Sequence, residues 1–444
     1  MPRRPTRRHF LHASAVAGAS AFFAWPLRAE DKKPSPNERL HVGVIGVAAQ
    51  GEYDWREVAK AGAEIVAWCD VDESRTGAAR STFPDASFDV DFRKMLDRKG
   101  IDAVIVATPD HTHAVATVAA LKSGRHVYCE KPLTHDVYEA RVVAETAAKE
   151  KRVTQMGTQI HNHPSGNYRR CVELIQGGAI GPVKEVHVWC GRSYGGAKRP
   201  EGSEPVPKGL HWYLWLGTAP DRPFYRGKAD RDGHYCYEPF NWRQWWDFGG
   251  GTLADMACHH VDLPFWALKL RHPTKVSAEG SPQPGGEAVA DWLIVNYEFP
   301  ARGDLPPVKL TWYDGGKRPP HFAEGKLPKW GDGSLFVGEK GMLLAGYTQR
   351  KLLPEAEFKD FVAPKQTIPD SVGHHKEWVE ACKSGAATMC NFDYAGALTE
   401  AVLLGAVSYR AGKPLEWDAK NLKATNCPEA EKYLRRTYSK PWAL

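Results

Sequence analysis

The stretch LHVGVIGVAAQG, residues 40–51, decides the fold of this chain. Its first half is an apolar run that is typical of a strand buried on both faces of a parallel sheet. Gly46, Ala48 and Gly51 follow, and the residues after them have a helix-like pattern. A strand that turns through small residues into a helix is typical of a dinucleotide site, because the helix N-terminus attracts the pyrophosphate.

The next strand-like run ends in Asp70, which lies 24 residues after Gly46. An acid at this distance binds the ribose hydroxyls and repels a 2′-phosphate, which favours NAD over NADP. Ala48 stands where the fingerprint has its middle glycine, so the pyrophosphate must approach a methyl group. The predicted cofactor site comprises Gly46, Ala48, Gln50, Gly51 and Asp70.

Strands that alternate with helices as far as residue 157 predict a doubly wound α/β domain over residues 40–160. Ligands bind at the carboxyl ends of the strands in such a sheet. Taken alone, the turn at residues 130–132 is better explained as an ordinary turn with a solvated lysine. The evidence for a functional role comes from the motifs before and after it in the sequence. Two motifs follow strand-like runs at this edge and are predicted to contact the cofactor: Thr108, Pro109 and His113 in the first, and Glu130, Lys131 and Pro132 in the second.

From His161 onward few helices separate the strand-like runs, which predicts a second α/β domain, residues 161–444, with an open, mostly antiparallel sheet. Residues 193–247 form a long segment rich in Trp, Tyr, Pro and Gly, and long ordered loops commonly serve function. We expect this segment to stack on a substrate, although plain packing explains each aromatic residue about equally well. The predicted substrate contacts are Gln159, Arg192, Tyr194, Trp212, Arg243 and Trp246.

The sequence GGGTLADMACHHVD, residues 249–262, begins a predicted helix over residues 253–268. Asp255 and His259 are four residues apart and therefore share one face of that helix. A single helical histidine is usually a surface or packing residue, but this pair follows a predicted nucleotide site. The chain also has several histidine pairs, yet no carboxylate or cysteine completes a recognisable metal-ligand spacing, so no bound metal is predicted.

Taken in order, these motifs resemble the Gfo/Idh/MocA family of nicotinamide-dependent oxidoreductases. The resemblance implies a Rossmann domain, an open-sheet α/β domain and a homo-oligomer formed through that sheet. It also implies that Lys131, Asp255 and His259 are the catalytic residues and that the bond before Pro132 is cis. The stretches that carry the resemblance are Gly46–Gly51, Thr108–His113, Glu130–Pro132 and Asp255–His259.

The chemistry implied by the resemblance is the oxidation of a hydroxyl on a sugar, cyclitol or sugar derivative, with NAD as cofactor. His259 is the natural base near neutral pH, and Lys131 can stabilise the developing oxyanion. Asp255 can hold either His259 or the substrate in place. An alternative is an exported glycosidase, similar to NAD-dependent alpha-N-acetylgalactosaminidases, that oxidises its sugar transiently and uses Tyr194 or His259 as base. A second alternative is a non-catalytic sugar-binding protein.

Residues 1–29 are predicted to be a twin-arginine export signal, and residues 30–39 a polar tether, which places the protein in the periplasm or outside the cell. The apolar run at residues 13–25 is too short to span a bilayer stably, so no membrane insertion is expected after the signal is removed. Loss of the five signal arginines would lower the net charge from +6 to +1, which argues against nucleic acid as a partner.

Overall fold

Residues 39–195, 198–230, 232–283 and 286–444 are described by the structure, a computed structural model. The predicted export signal and nearly all of the predicted tether lie outside these residues.

A six-stranded sheet forms the first half of the described chain. Its central strands are continuous apolar runs, as at Ala103–Val106, where all four residues are buried, because both faces of the sheet are covered. The strands are β1 His41–Ile45, β2 Glu64–Cys69, β3 Ser87–Asp89, β4 Ala103–Val106, β5 His126–Cys129 and β6 Thr154–Met156. The helices are α1 Gln50–Lys60, α2 Gly77–Thr82, α3 Phe92–Leu96, α4 Asp110–Lys122 and α5 Val137–Glu150. Neighbouring strands are parallel, in the order β3-β2-β1-β4-β5-β6.

A nine-stranded sheet occupies the second half of the described chain. The strands are β7 Val183–Trp189, β8 Lys275–Gly280, β9 Leu293–Phe299, β10 Val308–Tyr313, β11 Gly333–Gly338, β12 Gly341–Ala345, β13 Arg350–Leu353, β14 Leu415–Asp418 and β15 Lys423–Ala424. Their order is β13-β12-β11-β7-β10-β9-β8-β14-β15; β7 and β10 pair in parallel, and the other described pairs are antiparallel. The predicted fold class, a doubly wound sheet followed by an α/β domain with an open, mostly antiparallel sheet, is confirmed.

The later helices lie in the second half of the described chain, and some of them contact the first half. They are α6 Asn167–Gln176, α7 Trp212–Leu216, α8 Gly251–His260, α9 Asp262–Ala267, α10 Pro320–Ala323, α11 His374–Ser384, α12 Phe392–Ala411 and α13 Glu431–Leu434. Helix α12 packs against α5 of the first half and against α8 and β8 of the second. Gly405 permits this close packing because it has no side chain. A Cβ at this position would lie only 2.6 Å from the Tyr297 hydroxyl. This apolar helix therefore fixes the position of α8 relative to the first sheet.

The helix predicted over residues 253–268 is divided at Val261 into α8 and α9. Pro264 has no backbone N–H, so it cannot donate the hydrogen bond that would continue the helix through the carbonyl of His260. The hydroxyl of Ser334 donates to that carbonyl instead, at 3.2 Å. The break leaves His259 and His260 in the last turn of α8.

The aromatic segment predicted at residues 193–247 folds largely on itself. Trp215, Tyr237 and Phe248 form the centre of a separate buried cluster, with ring centroids 4.8–6.0 Å apart. Much of the segment is therefore a small core, and it lies against the carboxyl edge of the first sheet, where Leu210 bridges to Asp72. Among the described residues, no helix is long and apolar enough to cross a membrane.

Candidate active site

A cavity of about 340 Å³ lies between the carboxyl edge of the first sheet and the aromatic segment. Its floor is formed by residues that follow β1, β2, β4 and β5, and its roof by residues 210–243. The residues that line it include Gly46, Ala48, Ala49, Gln50, Asp70, Thr108, Pro109, His113, Glu130, Lys131, Trp215, Phe240, Trp242, Arg243 and Trp442. It thus joins the two motif regions predicted from the sequence to part of the aromatic segment.

The N-terminus of α1 meets one end of this cavity. Its N-cap residue, Ala49, has a φ of 53° and a methyl side chain that cannot cap the helix, so no capping side chain blocks an anion from the positive end of the helix. The amides of Gly51 and Glu52 themselves donate to the carbonyls of Ala48 and Ala49. A Cβ at Gly46 would lie 2.6 Å from the carbonyl oxygen of Ala107, and one at Gly51 would lie 2.0 Å from that of Gly46. The first and last small residues of the fingerprint are therefore required for the turn and for helix packing, while Ala48 lines the cavity. These features fit a bound dinucleotide.

Asp70 lies at the same end of the cavity, at the close of β2. Its carboxylate accepts hydrogen bonds from the amides of Val47, at 3.0 Å, and Asp72, at 2.9 Å. Burial raises the pKa of Asp70 above its ordinary value, although these two hydrogen bonds oppose the shift. Asp70 therefore holds the glycine turn in place while it faces the position predicted for the ribose.

Trp442, near the C-terminus, closes the outer wall beside Phe92, with ring centroids 5.8 Å apart. The guanidinium of Arg93 lies 4.6 Å from the Trp442 ring, and Lys440 accepts a hydrogen bond from the hydroxyl of Tyr213 through its carbonyl. The C-terminal segment is thus fastened to both the first sheet and the roof. Nothing in the sequence indicated that this segment reaches the cofactor end of the cavity.

Lys131 lies at the other end of the cavity, in an ion pair with Asp255. The Lys131 Nζ is 2.6 Å from Oδ1 of Asp255, and the Nε of Arg243 is 3.2 Å from the same oxygen. Burial alone would raise the pKa of Asp255, but the two cations outweigh it and hold the pKa well below its usual range. Burial opposes the charge on Lys131, yet Asp255 reverses this and raises the pKa of Lys131. The site therefore holds a permanently protonated lysine.

His259 lies one helical turn beyond Asp255 on α8. The two side chains share a face, as predicted, but the carboxylate of Asp255 bonds to Lys131 and Arg243 rather than to the imidazole. Burial, and then the charge of Lys131, lower the pKa of His259 well below its ordinary value. Its buried Nδ1 has no hydrogen-bond partner among the described residues. His259 is therefore a neutral imidazole that can accept a proton.

Glu130 is held in a buried polar network behind Lys131. It accepts hydrogen bonds from Gln159, at 2.6 Å, and Gln50, at 3.3 Å, while Gln50 also donates to Asp54 at 3.2 Å. His375 lies 3.0 Å from Asp54. Burial raises the pKa of both carboxyl groups to about 8, and for Glu130 the charge of Asp54 adds to the effect. Asp54 and His375 were not identified from the sequence, because no local pattern links them to Glu130.

His113 ties together the two predicted strand-end motifs. Its ring nitrogens lie 2.8 Å and 2.7 Å from the carbonyl oxygens of Pro132 and Thr108. Burial lowers its pKa to about 4. The bond between Lys131 and Pro132 is cis, as the resemblance implied. Thr108 and Pro109 line the cavity directly.

The predicted substrate contacts are divided by the structure. Arg243 lines the cavity between the rings of Phe240 and Trp242, at 4.3 and 4.2 Å. Arg192 and Tyr194 lie beside α8, where the guanidinium donates to the Tyr194 hydroxyl at 2.9 Å and the Tyr194 ring packs on Phe240. These three predicted residues therefore lie near the Lys131 end of the cavity.

Three other predicted contacts point elsewhere. Gln159 bonds inward to Glu130. Trp212 stacks on Trp215 at 4.8 Å and donates to the carbonyl of Arg222. Trp246 is buried and donates to Gln283. The expected aromatic stacking wall is thus displaced, because Trp212 and Trp246 pack into cores while other residues of the segment line the cavity.

Comparisons with known proteins identify both domains. The Gfo/Idh/MocA model described as an oxidoreductase family with an NAD-binding Rossmann fold matches residues 40–158. The model for the C-terminal alpha/beta domain of that oxidoreductase family matches residues 185–305. Inositol 2-dehydrogenase 1 of Saccharopolyspora erythraea is 35% identical over 152 residues, or 33% of this chain and 44% of that protein. An inositol 2-dehydrogenase of Salmonella typhimurium is 31% identical over 170 residues, or 37% of this chain and 49% of that protein. The chain thus spans less than half the length of these relatives.

Solved structures share the fold over most of the chain. The myo-inositol 2-dehydrogenase of Lactobacillus plantarum has a TM-score of 0.54 at 17% identity, covering 86% of this chain and 100% of that one. The WlbA dehydrogenase of Bordetella pertussis, solved with NADH and UDP-GlcNAcA, has a TM-score of 0.59 at 17% identity, covering 86% and 99%. At such identities the likeness concerns the fold alone.

Proposed function

Because the chain belongs to the Gfo/Idh/MocA family of oxidoreductases, with its NAD-binding Rossmann fold, we propose that it oxidises a hydroxyl of a sugar, cyclitol or sugar derivative with NAD. The observation that carries the proposal is the protonated Lys131, held by Asp255 at the end of a cavity whose other end fits a dinucleotide. Both relatives matched by sequence are inositol 2-dehydrogenases, which supports a cyclic polyol as substrate.

In this proposal the residues from Gly46 to Gln50, with Asp70, hold the cofactor, and NAD bound there supplies the two-electron oxidant. The Lys131 ammonium donates a hydrogen bond to the reacting hydroxyl and stabilises the negative charge that develops on its oxygen. Neutral His259 takes the hydroxyl proton. Asp255 keeps Lys131 charged and fixes the direction of its ammonium group.

The direct test is to incubate the purified protein with NAD and a panel of myo-inositol, aldoses and aryl glycosides. We expect a ketone or lactone product formed in a one-to-one ratio with NADH, and a rate of its formation that is about 10²–10⁴-fold lower in the His259→Ala variant. Release of many aglycones per bound NAD, without NADH, would replace the proposal by the redox-recycling glycosidase. Binding of sugars with no turnover of any kind would replace it by the non-catalytic alternative.

We also propose that the protein is exported by the twin-arginine pathway. The support is Arg7 and Arg8 followed by a weakly apolar run at residues 13–25. Cell fractionation tests this directly, with a variant that carries Arg7→Lys and Arg8→Lys as the comparison. If the wild type and the variant were distributed in the same way between cytoplasm and periplasm, the result would contradict the proposal.

We further propose that the chain forms a homo-oligomer through its open sheet. The support is the broad outer face of the central strands, where side chains such as Glu185, Glu298 and Lys309 are exposed in the single chain. Light scattering of the purified protein measures the assembly, and a monomeric mass at micromolar concentration would contradict it.

A further inference from the structure

Three potential metal ligands that are distant in sequence meet beside α8. Cys190 directly follows β7, Asp332 directly precedes β11, and His260 is the last residue of α8. Because β7 and β11 are paired antiparallel neighbours, the end of one meets the start of the other. One ligand atom from each of the three residues lies within 4.8 Å of the other two. The fold thus completes a ligand set that no sequence spacing indicated.

The geometry of this cluster suits a small dication. The Cys190 Sγ is 3.6 Å from Oδ2 of Asp332, and the ligand atoms of tetrahedral zinc lie roughly 3.5 Å apart, given bonds of about 2.0–2.3 Å. The other oxygen of Asp332 accepts a hydrogen bond from the amide of Gly191 at 2.8 Å, which orients the carboxylate. A thiolate and a carboxylate would together neutralise the charge of the ion.

The second line of support is an unpartnered nitrogen on His260. The residue is 2% exposed, and its buried Nδ1 has no hydrogen-bond partner in the part of the chain that the structure describes. Its Nε2 lies 2.9 Å from the hydroxyl of Tyr347, whose ring stacks on the imidazole at 4.6 Å. A metal-binding histidine usually presents one nitrogen to the metal and donates its other N–H to an acceptor, which fixes the ring. The Tyr347 hydroxyl is placed to be that acceptor.

We propose that Cys190, His260 and Asp332 bind a zinc-like divalent transition metal ion. Three protein ligands of the sulfur, nitrogen and oxygen type leave a fourth position open, the arrangement of reactive zinc sites rather than of closed structural ones. Asp332 is partly exposed, so the open position is on the solvent side. His259 is the residue before His260, and both imidazoles pack on Tyr347. The site therefore lies on the same wall as the proposed catalytic histidine.

A second cluster provides the matched comparison. His161, Asp262 and Cys390 are all buried and also have ligand atoms within 4.8 Å of one another. There, however, the Nδ1 of His161 is already 3.0 Å from Asp262, and Tyr394 donates to the same carboxylate at 2.6 Å. Its carboxylate is satisfied by protein groups, and all three residues are closed to solvent. The Nε2 of His161, like the Nδ1 of His260, has no hydrogen-bond partner among the described residues, but the engaged carboxylate and the burial of all three residues leave no open position for a ligand.

The test is metal binding by the purified, chelator-treated full chain, measured without reference to turnover. Equilibrium dialysis with zinc, followed by elemental analysis, gives the stoichiometry and affinity, and titration with cobalt(II) under reducing conditions reports thiolate ligation through its charge-transfer absorption. We expect one ion per chain and a sulfur-to-cobalt band. Cys190→Ser should abolish the band and weaken zinc binding at least ~100-fold, while Tyr347→Phe should weaken it ~10–100-fold, the usual effect of losing an outer hydrogen-bond partner.

Two variants separate ligation at this site from a general loss of folding and from binding at the second cluster. Asp332→Asn retains the oxygen that bonds to Gly191 and lies at the surface, so it reports ligation even where Cys190→Ser proves too unstable to purify. Cys390→Ser removes a comparable buried thiol from the second cluster and should leave zinc binding unchanged. Absence of stoichiometric binding in the wild type, binding that survives both Cys190→Ser and Asp332→Asn, or binding lost only in Cys390→Ser would each overturn the proposal.

Discussion

Replacing Asp255 by asparagine should lower the pKa of Lys131. The substitution keeps the size and shape of the side chain but removes the negative charge that lies within hydrogen-bond distance of both Lys131 and Arg243. The side chains of Lys131 and Asp255 are 13% and 9% exposed, so water offers little compensation. The charge of Arg243 would then act on Lys131 unopposed by the carboxylate.

The expected size of the shift follows from the geometry. Two unit charges 2.6 Å apart attract by about 6 kcal/mol at an effective dielectric constant of about 20. Burial offsets part of this, and breaking a buried pair by removing one partner costs about 3–5 kcal/mol. At about 1.36 kcal/mol per unit, this loss corresponds to a fall of roughly 2–4 units in the pKa of Lys131. The fall starts from the wild-type pKa of Lys131, which Asp255 holds above the usual value for lysine.

Competitive acylation of the protein across pH, with peptide mass spectrometry, measures the pKa of Lys131 directly. If protonated Lys131 stabilises the alkoxide, the variant should also lose kcat/KM as pH rises through the lowered pKa of Lys131, whereas the wild type should not. Asp393→Asn is the matched control, because it breaks an ion pair of 2.9 Å with Arg271 in which the aspartate is 79% exposed. A Lys131 pKa that is the same in Asp255→Asn as in the wild type would refute the reasoning.

Three further outcomes are expected. Lys131→Met and His259→Ala should each reduce turnover by about 10²–10⁴-fold with little change in cofactor affinity; near-wild-type rates of NADH formation in both would remove them from the catalytic site. Asp70→Ala should weaken NAD binding and reduce the preference for NAD over NADP, as measured by the dissociation constants of the two cofactors. Asp54 has a pKa of about 8 when folded and about 4 when unfolded, so its protonated form stabilises the fold at low pH and this contribution is lost as pH rises from 4 to 8. The free energy of unfolding of Asp54→Asn, measured by urea denaturation, should therefore rise relative to that of the wild type by an order of 1–3 kcal/mol between pH 5 and pH 8. If the free energies of unfolding of the two proteins ran parallel over this pH range, the prediction would be contradicted.

The first sheet was predictable because its signals are local. Strand β5 has the bounds that its apolar run predicted, His126–Cys129, and β1 lies one residue inside each end of the predicted run. The turn at Gly46 is dictated by backbone contacts within the motif itself. Signals of this kind depend on the period of apolar residues and on glycine sterics, and neither needs knowledge of distant parts of the chain. Strand β12 at Gly341–Ala345, which pairs with β11 and β13 of the second sheet, was missed.

The aromatic segment shows where local signals end. Trp212 and Trp215 are three residues apart on α7 and stack on each other, yet of these two Trp215 alone lines the cavity that the described residues form. Both are tryptophans on the same short helix, so no sequence pattern shows which of them lines the cavity. The choice is made by Arg222, whose carbonyl accepts the indole N–H of Trp212 and holds that ring in the core. A hydrogen bond to a carbonyl ten residues further along the chain thus holds Trp212 away from the cavity that Trp215 lines.

The same limit applies to Asp255, and here it affects the chemistry. Helical spacing placed Asp255 and His259 on one face and left open whether the carboxylate holds the imidazole or the substrate. The carboxylate instead bonds to Lys131, 124 residues away in sequence, and to Arg243. If Asp255 were paired with His259, the pKa of the imidazole would rise and the histidine would tend to be protonated before it could act as a base. Because the carboxylate instead pairs with Lys131 and Arg243, the pKa of Lys131 is raised and that of His259 is lowered. Lys131 therefore stays charged to stabilise the oxyanion, and His259 stays neutral to receive the proton. Lys131 thus keeps the charge that the proposed oxidation uses, while the lowered pKa of His259 leaves its imidazole unprotonated but a weaker base than a free histidine.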